Sequence, residues 1–219
     1  TTCRFREFPV LKLYDDPDSG NGYKVQLLLH LLGTPYDLVE VNAIQGGTRK
    51  KSFLAKNPNG KIPLLELEDG TLLPESNAIL FYLAEGTPWL PDDRLGRARA
   101  LQWMFFEQYS HEPYIAVLRF WKRHTDKTAE NELLWEAKEK GGYAALAVME
   151  RGLRDGDWLL GGTPSIADIS LYAYTHVADQ GGFDLARYPA VQAWIGRFPK
   201  LPGYVPFPGR LKESDDRKV

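Results

Sequence analysis

Apolar and polar positions divide the chain into two unlike parts. Residues 10–14 (VLKLY) form a short β-rich run, halted by Asp15-Asp16-Pro17-Asp18-Ser19-Gly20. Apolar residues then recur at helical spacing over 24–32, and Gly33 supplies a C-terminal stop. Residues 36–41 alternate and predict a strand; a Gly46-Gly47 loop leads to a short helix near 52–56. Residues 62–67 predict a strand, Asp69-Gly70 a tight turn and 71–73 the returning strand. A helix over 76–84 ends at Gly86-Thr87-Pro88. A helix between two strands implies a parallel pair, and the hairpin adds an antiparallel one. The result is a small mixed sheet flanked by helices.

Beyond residue 92 the pattern is helical throughout. Asp92 or Asp93 can cap a helix running through Trp103 towards Glu112, with a kink at Pro113. A second helix spans 128–151 despite Gly141-Gly142, and another runs over 191–198. Ser165-Ile166-Ala167-Asp168 has the spacing of a capping box. The chain therefore divides into a first domain over 1–85, a linker over 86–91, an all-helical domain over 92–208 and a polar, frayed tail over 209–219.

Composition narrows the classes. The 219 residues are 43% hydrophobic and 26% charged with a net charge of −2, an ordinary globular balance. That balance gives no electrostatic case for a nucleic-acid or acidic-membrane partner. The single cysteine, Cys3, excludes an internal disulfide framework, a CxxC pair and a cysteine-rich zinc site. No apolar run has the length of a signal-peptide core or a membrane span, so a cytoplasmic protein is expected.

Three places carry candidate chemistry. Ile62-Pro63 starts a strand, where a trans edge proline is the ordinary reading and a cis-proline turning the Ile62 backbone towards a ligand is the sharper one. Backbone turned that way can pair with an extended peptide. Glu75-Ser76 opens a helix: serine is a plain N-cap, or it binds a carboxylate while Glu75 pairs a neighbouring ammonium. Ser19-Gly20-Asn21-Gly22-Tyr23-Lys24 joins the first strand to the first helix. It is either an ordinary capping turn or a site that stabilises an anion, including a thiolate.

Together these segments resemble the cytosolic glutathione transferases. The resemblance covers 12–198 and is strongest in Asn57-Pro58-Asn59-Gly60-Lys61-Ile62-Pro63-Leu64-Leu65, Asp69-Gly70 and Pro74-Glu75-Ser76-Asn77-Ala78-Ile79, which look like the family's NPxxxVP…ESxAI signature. Ser165 to Asp168 matches its capping box. The resemblance implies an α/β thioredoxin-like N-terminal domain, an all-α C-terminal domain and a homodimer. It implies glutathione as cosubstrate, a hydrophobic electrophile as the other, and no metal.

By position, the resemblance implies that the Ile62 backbone pairs with the cysteinyl part of glutathione beside a cis Pro63. Glu75 and Ser76 would hold the γ-glutamyl end, Lys61 the glycyl carboxylate, and Thr48 stands where many members have a glutamine. For thiol activation, Ser19 occupies the place of the theta- and zeta-like serine. Ser19-Gly20-Asn21-Gly22 also looks like the nu-class Thr-Pro-Asn-Gly turn, whose asparagine faces the thiol. Tyr14, in the place of the alpha, mu and pi tyrosine, ranks third. The beta class, which uses a cysteine in this region, is excluded.

The aromatic stretch over 103–121 is read mainly as core, with Tyr109, His111, Tyr114 and Arg119 as polar-tipped candidates for the electrophile pocket. His111-Glu112-Pro113-Tyr114-Ile115 lacks the second histidine of HExxH, and Gly20-Asn21-Gly22 lacks the third glycine of a dinucleotide fingerprint. No metal or nucleotide is assigned. The leading expectation is a glutathione transferase. The alternatives are a glutathione-dependent disulfide-bond reductase, and a non-catalytic member that binds ligands or proteins through the same fold.

Overall fold

A computed structural model describes residues 10–208; Cys3 and the tail over 209–219 lie outside the described residues. β1 (Leu11–Asp15) pairs in parallel with β2 (Tyr36–Glu40) and antiparallel with β3 (Leu64–Glu66), which pairs antiparallel with β4 (Leu72–Pro74). The sheet order is β2-β1-β3-β4. Residues alternate across the strand. Leu13 of β1 therefore packs with Val25, Leu29, Leu65 and Ile79, while its neighbour Tyr14 sits edge-on against Phe53.

Two helices line the Leu13 face: α1 (Gly20–Leu31) and α3 (Ser76–Ala84). The short α2 (Lys51–Leu54) carries Phe53. The outer faces of α1 and α3 continue into the helical domain. Tyr23, Leu27, Leu28 and Leu80 share one apolar core with Met104, Ile169, Tyr172 and Trp194. The two domains are held together by common hydrophobic burial rather than by the connecting chain.

The helical domain comprises α4 (Arg94–Phe106), α5 (Glu112–His124), α6 (Glu132–Gly152), α7 (Ile166–Thr175) and α8 (Pro189–Ile195). Asp93 caps α4 by accepting from the Gly96 N–H at 2.8 Å. The expected kink at Pro113 takes a different form. A π-helical turn over Glu107–His111 leads directly into α5, and Pro113 falls in the first turn of α5, so the backbone bond it cannot make lies at the junction of the two. That turn places Glu107 and His111 inward, both fully buried. Gly141 and Gly142 lie inside α6 because the rings of Tyr114 and Phe183 occupy the space their side chains would need.

The capping box of α7 is formed. Asp168 accepts from the Ser165 N–H at 2.8 Å. Its other oxygen accepts from Leu159 N–H and Trp194 Nε1, at 2.9 and 3.0 Å, so this buried carboxyl ties the start of α7 to the preceding loop and to α8.

Candidate active site

The turn between β1 and α1 is built on two close approaches. A side chain at Gly22 would overlap the Asp15 carboxyl, and one at Gly20 would overlap the ring of Tyr174 from α7. Glycine at both positions lets sheet, helix start and helical domain converge. Ser19 is the N-cap of α1, its Oγ accepting the Gly22 N–H at 3.0 Å. The Ser19 side chain is also a hydrogen-bond partner of the Asp15 carboxyl beneath the turn. Beneath the turn, burial pushes the Asp15 carboxyl up to about 7, opposed by hydrogen bonds from the Asp16 backbone and Gln26.

Asn21 is held by its side chain from three directions. Its Oδ1 accepts from Lys24 Nζ at 2.7 Å and from Ser76 Oγ at 3.1 Å, and its Nδ2 donates to Glu112 Oε1 at 2.9 Å. One amide hydrogen remains after these bonds. Lys24 is fully buried, and its ammonium also donates to Glu107 Oε1 at 2.8 Å and approaches Ser76 Oγ at 3.5 Å. Glu107 accepts from Asn77, Gln108 and Ser170 as well. A polar network thus runs from α1 through α3 into the helical domain.

The peptide bond between Ile62 and Pro63 is cis. Pro63 is followed directly by β3, and Asn57 Nδ2 donates to the Lys61 carbonyl at 2.8 Å, fixing the approach to the strand. Glu75 has φ 74, the one non-glycine residue with positive φ among those described. Such a conformation is costly for an ordinary side chain and concentrates at functional sites. Glu75 is exposed, with Asn59 Nδ2 at 3.5 Å from its carboxylate. Ser76 is the first residue of α3 rather than its cap, because Glu75 holds the cap position. Thr48 is buried in a 3-10 turn whose carbonyl packs near Gly60, and Lys61 is exposed.

Between the domains lies a cleft of about 200 Å³, lined by Ser19 and Ile62 on one side and by Ala116, Arg119, Phe120 and Tyr174 on the other. Asp18, Ile44, Arg123 and His124 also border it. Arg119 Nε donates to Gln180 Oε1 at 2.8 Å, and its guanidinium lies over Phe207. Arg123 pairs with Asp18 at 3.1 Å.

Only Arg119 of the four expected electrophile-pocket residues lines this cleft. Tyr109 projects outward, 85% exposed. His111 is buried in the helical core with Nε2 at 2.9 Å from Thr175 Oγ1, and burial pushes its pKa down to about 3. Tyr114 packs over Gly141 with Lys138 above its ring. At 3.6 residues per turn these four positions point in different directions, and the fold divides them among solvent, core and cleft. Tyr14 lies on the α2 face of the sheet and donates to Glu66 Oε2 at 2.6 Å. Hydrogen bonds from Tyr14 and Lys56 hold the Glu66 carboxyl down at about 2.

Lys24, Glu107, Glu112 and Tyr174 belong to the site although the sequence pattern does not single them out. A lysine inside an apolar helical run marks a charge that needs a buried partner, but the partner lies 83 positions away. Tyr174 belongs to the apolar run after the capping box, which reads as core. Among the described residues no cluster of three or more metal-ligating side chains occurs.

Family models match both parts of the chain. The glutathione S-transferase N-terminal domain matches residues 9–85 and the C-terminal domain matches 134–197. The chain is 30% identical to a maleylacetoacetate isomerase of Pseudomonas aeruginosa, over 83% of this chain and 88% of that one. It is 32% identical to the disulfide-bond oxidoreductase YfcG of Escherichia coli, over 88% and 92%. A crystal structure of a glutathione S-transferase from Pseudomonas fluorescens Pf-5 superposes with TM-score 0.88 at 55% identity, over 90% of this chain and 98% of that one. A glutathione transferase of Burkholderia graminis with two glutathione molecules bound per subunit does so with TM-score 0.81 at 29% identity, over 96% and 92%. The chain belongs to the glutathione S-transferase family.

Proposed function

We propose that the protein is a glutathione transferase, binding glutathione along Ile62, Glu75 and Ser76 and directing its sulfur into the inter-domain cleft. The observation that carries this reading is the shared lining of that cleft. Ser19 from the α1 turn, Ile62 beside the cis-proline and Arg119 from the helical domain meet in it. The Ile62 backbone pairs with the cysteinyl part, Glu75 takes the γ-glutamyl ammonium, and Ser76 takes its carboxylate. Lys61 and Thr48 serve the glycyl end.

A free thiol titrates near ~8.5, so only a few per cent is ionised at neutral pH. Ser19 O–H and the remaining Asn21 amide hydrogen donate to the sulfur anion and lower that value. Bringing the thiol from ~8.5 to ~6.5 takes about 2.7 kcal/mol of preferential thiolate binding. The thiol proton passes to solvent. The sulfur then forms a bond to an electrophilic carbon and the leaving group departs with its electron pair. The apolar walls supplied by Ile44, Ala116 and Phe120 suit a hydrophobic second substrate, and detoxification of such compounds in the cytoplasm fits that chemistry. Among the described residues no helix is long and apolar enough to cross a membrane. Tyr82, Leu95, Phe105 and Tyr109 expose apolar surface on α3, α4 and the π-helical turn, which supports a homodimer.

The similarity to the disulfide-bond oxidoreductase favours a second reading, in which the same thiolate attacks a disulfide and a second glutathione supplies the other sulfur. Turnover of an aromatic halide and of hydroxyethyl disulfide, measured side by side, separates the two. Glutathione binding without turnover of either substrate overturns both in favour of a binding-only protein.

A further inference from the structure

Tyr174 is the part of the cleft with the most chemistry left unassigned. It lies on α7, yet its ring rests on Gly20 at the start of α1, a contact that any side chain at Gly20 would prevent. The approach brings the phenol oxygen to the helix terminus, where it accepts the backbone N–H of Asn21 at 3.2 Å. Tyr174 lines the same cleft as Ser19, Ile62 and Arg119.

The first N–H groups of a helix have no intrahelical partner, and together they carry the positive end of its dipole. In α1 two of them are already committed: Gly22 N–H to Ser19 Oγ and Asn21 N–H to the Tyr174 hydroxyl. Each accepting oxygen bears a proton of its own. The hydrogen bonds among the described residues use the Tyr174 oxygen only as an acceptor. A hydroxyl that accepts a bond becomes a stronger donor, because the two bonds polarise each other. The positive end of α1 is thereby relayed through two hydroxyl groups, one from each domain.

We infer that Tyr174 is a catalytic hydrogen-bond donor of the cleft, presenting its O–H to the glutathione sulfur opposite Ser19. This rests on the reading that glutathione places its sulfur beside the Ser19 turn. No atom is transferred: the phenol keeps its proton, and the negative charge on sulfur is stabilised without a base. Burial, followed by the nearby Glu112 and Glu107 charges, holds the phenol well above its usual range, so it stays protonated wherever glutathione ionises.

The test is Tyr174→Phe in the full-length protein, which removes one oxygen and keeps the ring on Gly20. Three quantities are read: the ultraviolet thiolate titration of bound glutathione, the pH–rate profile and the affinity for S-methylglutathione, which has no ionisable thiol. The thiol pKa should rise by about one unit, with about a tenfold loss of rate at neutral pH that recovers as pH rises. S-methylglutathione affinity should be unchanged. A variant with the wild-type thiol pKa and pH–rate profile overturns the assignment, as does one that loses S-methylglutathione affinity in parallel with its rate. If Ser19→Ala raises the thiol pKa and Tyr174→Phe does not, Tyr174 alone is wrong. If the wild-type protein fails to lower the thiol pKa at all, the placement of the sulfur falls and the Tyr174 assignment falls with it.

Discussion

The Lys24 ammonium lies 2.8 Å from Glu107 Oε1, and neither side chain has any exposure to solvent. The pair joins the first domain to the helical domain directly beneath Asn21 and Ser76. Removing one partner strands a buried charge, which costs about 3–5 kcal/mol, whereas removing both charges together is close to neutral. Lys24→Met should therefore lower the denaturation midpoint steeply, and Lys24→Met with Glu107→Gln should restore most of it. Equal losses in the single and double variants, measured by urea unfolding, would contradict this account.

Ser76→Ala should weaken glutathione binding by about 1.5–3 kcal/mol, the worth of a hydrogen bond to a charged group, and lower fold stability by about 0.5–1.5 kcal/mol. No helix cap is lost, because Ser76 is not the cap of α3; the stability cost is that of its bond to Asn21 Oδ1. Calorimetry on the folded variant checks it. Unchanged affinity refutes the γ-glutamyl assignment.

Ser19→Ala and Asn21→Ala should each keep glutathione binding and lose part of the rate at neutral pH, while the double variant loses more, non-additively because both donors serve one sulfur. Higher pH should recover part of the loss. Tyr14→Phe should change little, because its hydroxyl is committed to Glu66 on the α2 face of the sheet. The measurement is the thiol titration of each variant. A raised pKa in Tyr14→Phe alone would move thiol activation to the tyrosine.

Asp15 makes stability depend on pH in an unusual direction. In the unfolded chain its carboxyl ionises near the ordinary 3.8, while burial raises it to about 7 in the folded protein. Between those values the folded state holds the extra proton, so this group's contribution falls as pH rises and is lost once pH passes about 7. Asp15→Asn should remove that fall. Plotted against pH, wild-type stability minus variant stability should decline from pH about 4 to about 7 and then level. A difference that rises over this range would show that the carboxylate, not the acid, is the form the fold favours.

Much of the fold was legible because its signals are local. Asp69-Gly70 specifies a hairpin turn, Ser165 with Asp168 a capped helix start, and the stop at Gly33 a helix end. Each depends on backbone geometry within a few residues, and each forms in the structure. The segments around Ile62-Pro63 and Glu75-Ser76 were legible as a family signature, through the order and spacing of their residues; taken singly, those residues read as a trans proline and a plain helix cap.

The rest depends on distance in the chain. The segment after Phe106 reads as one helix kinked at Pro113, but the fold inserts a π-helical turn at Glu107–His111. Within it Tyr109 stands in solvent and His111 in the core, while Arg119, farther along α5, reaches the cleft. Propensity does not encode such a turn, which begins at Glu107, the residue buried against the Lys24 ammonium. The sequence by itself determined where most strands and helices lie and which segments resemble the family's signature, because those signals are local and ordered along the chain. Only tertiary structure decided which charges and hydroxyl groups face one another there, because Lys24 with Glu107 and Asn21 with Tyr174 meet only when α1 docks on the helical domain and excludes solvent from between them.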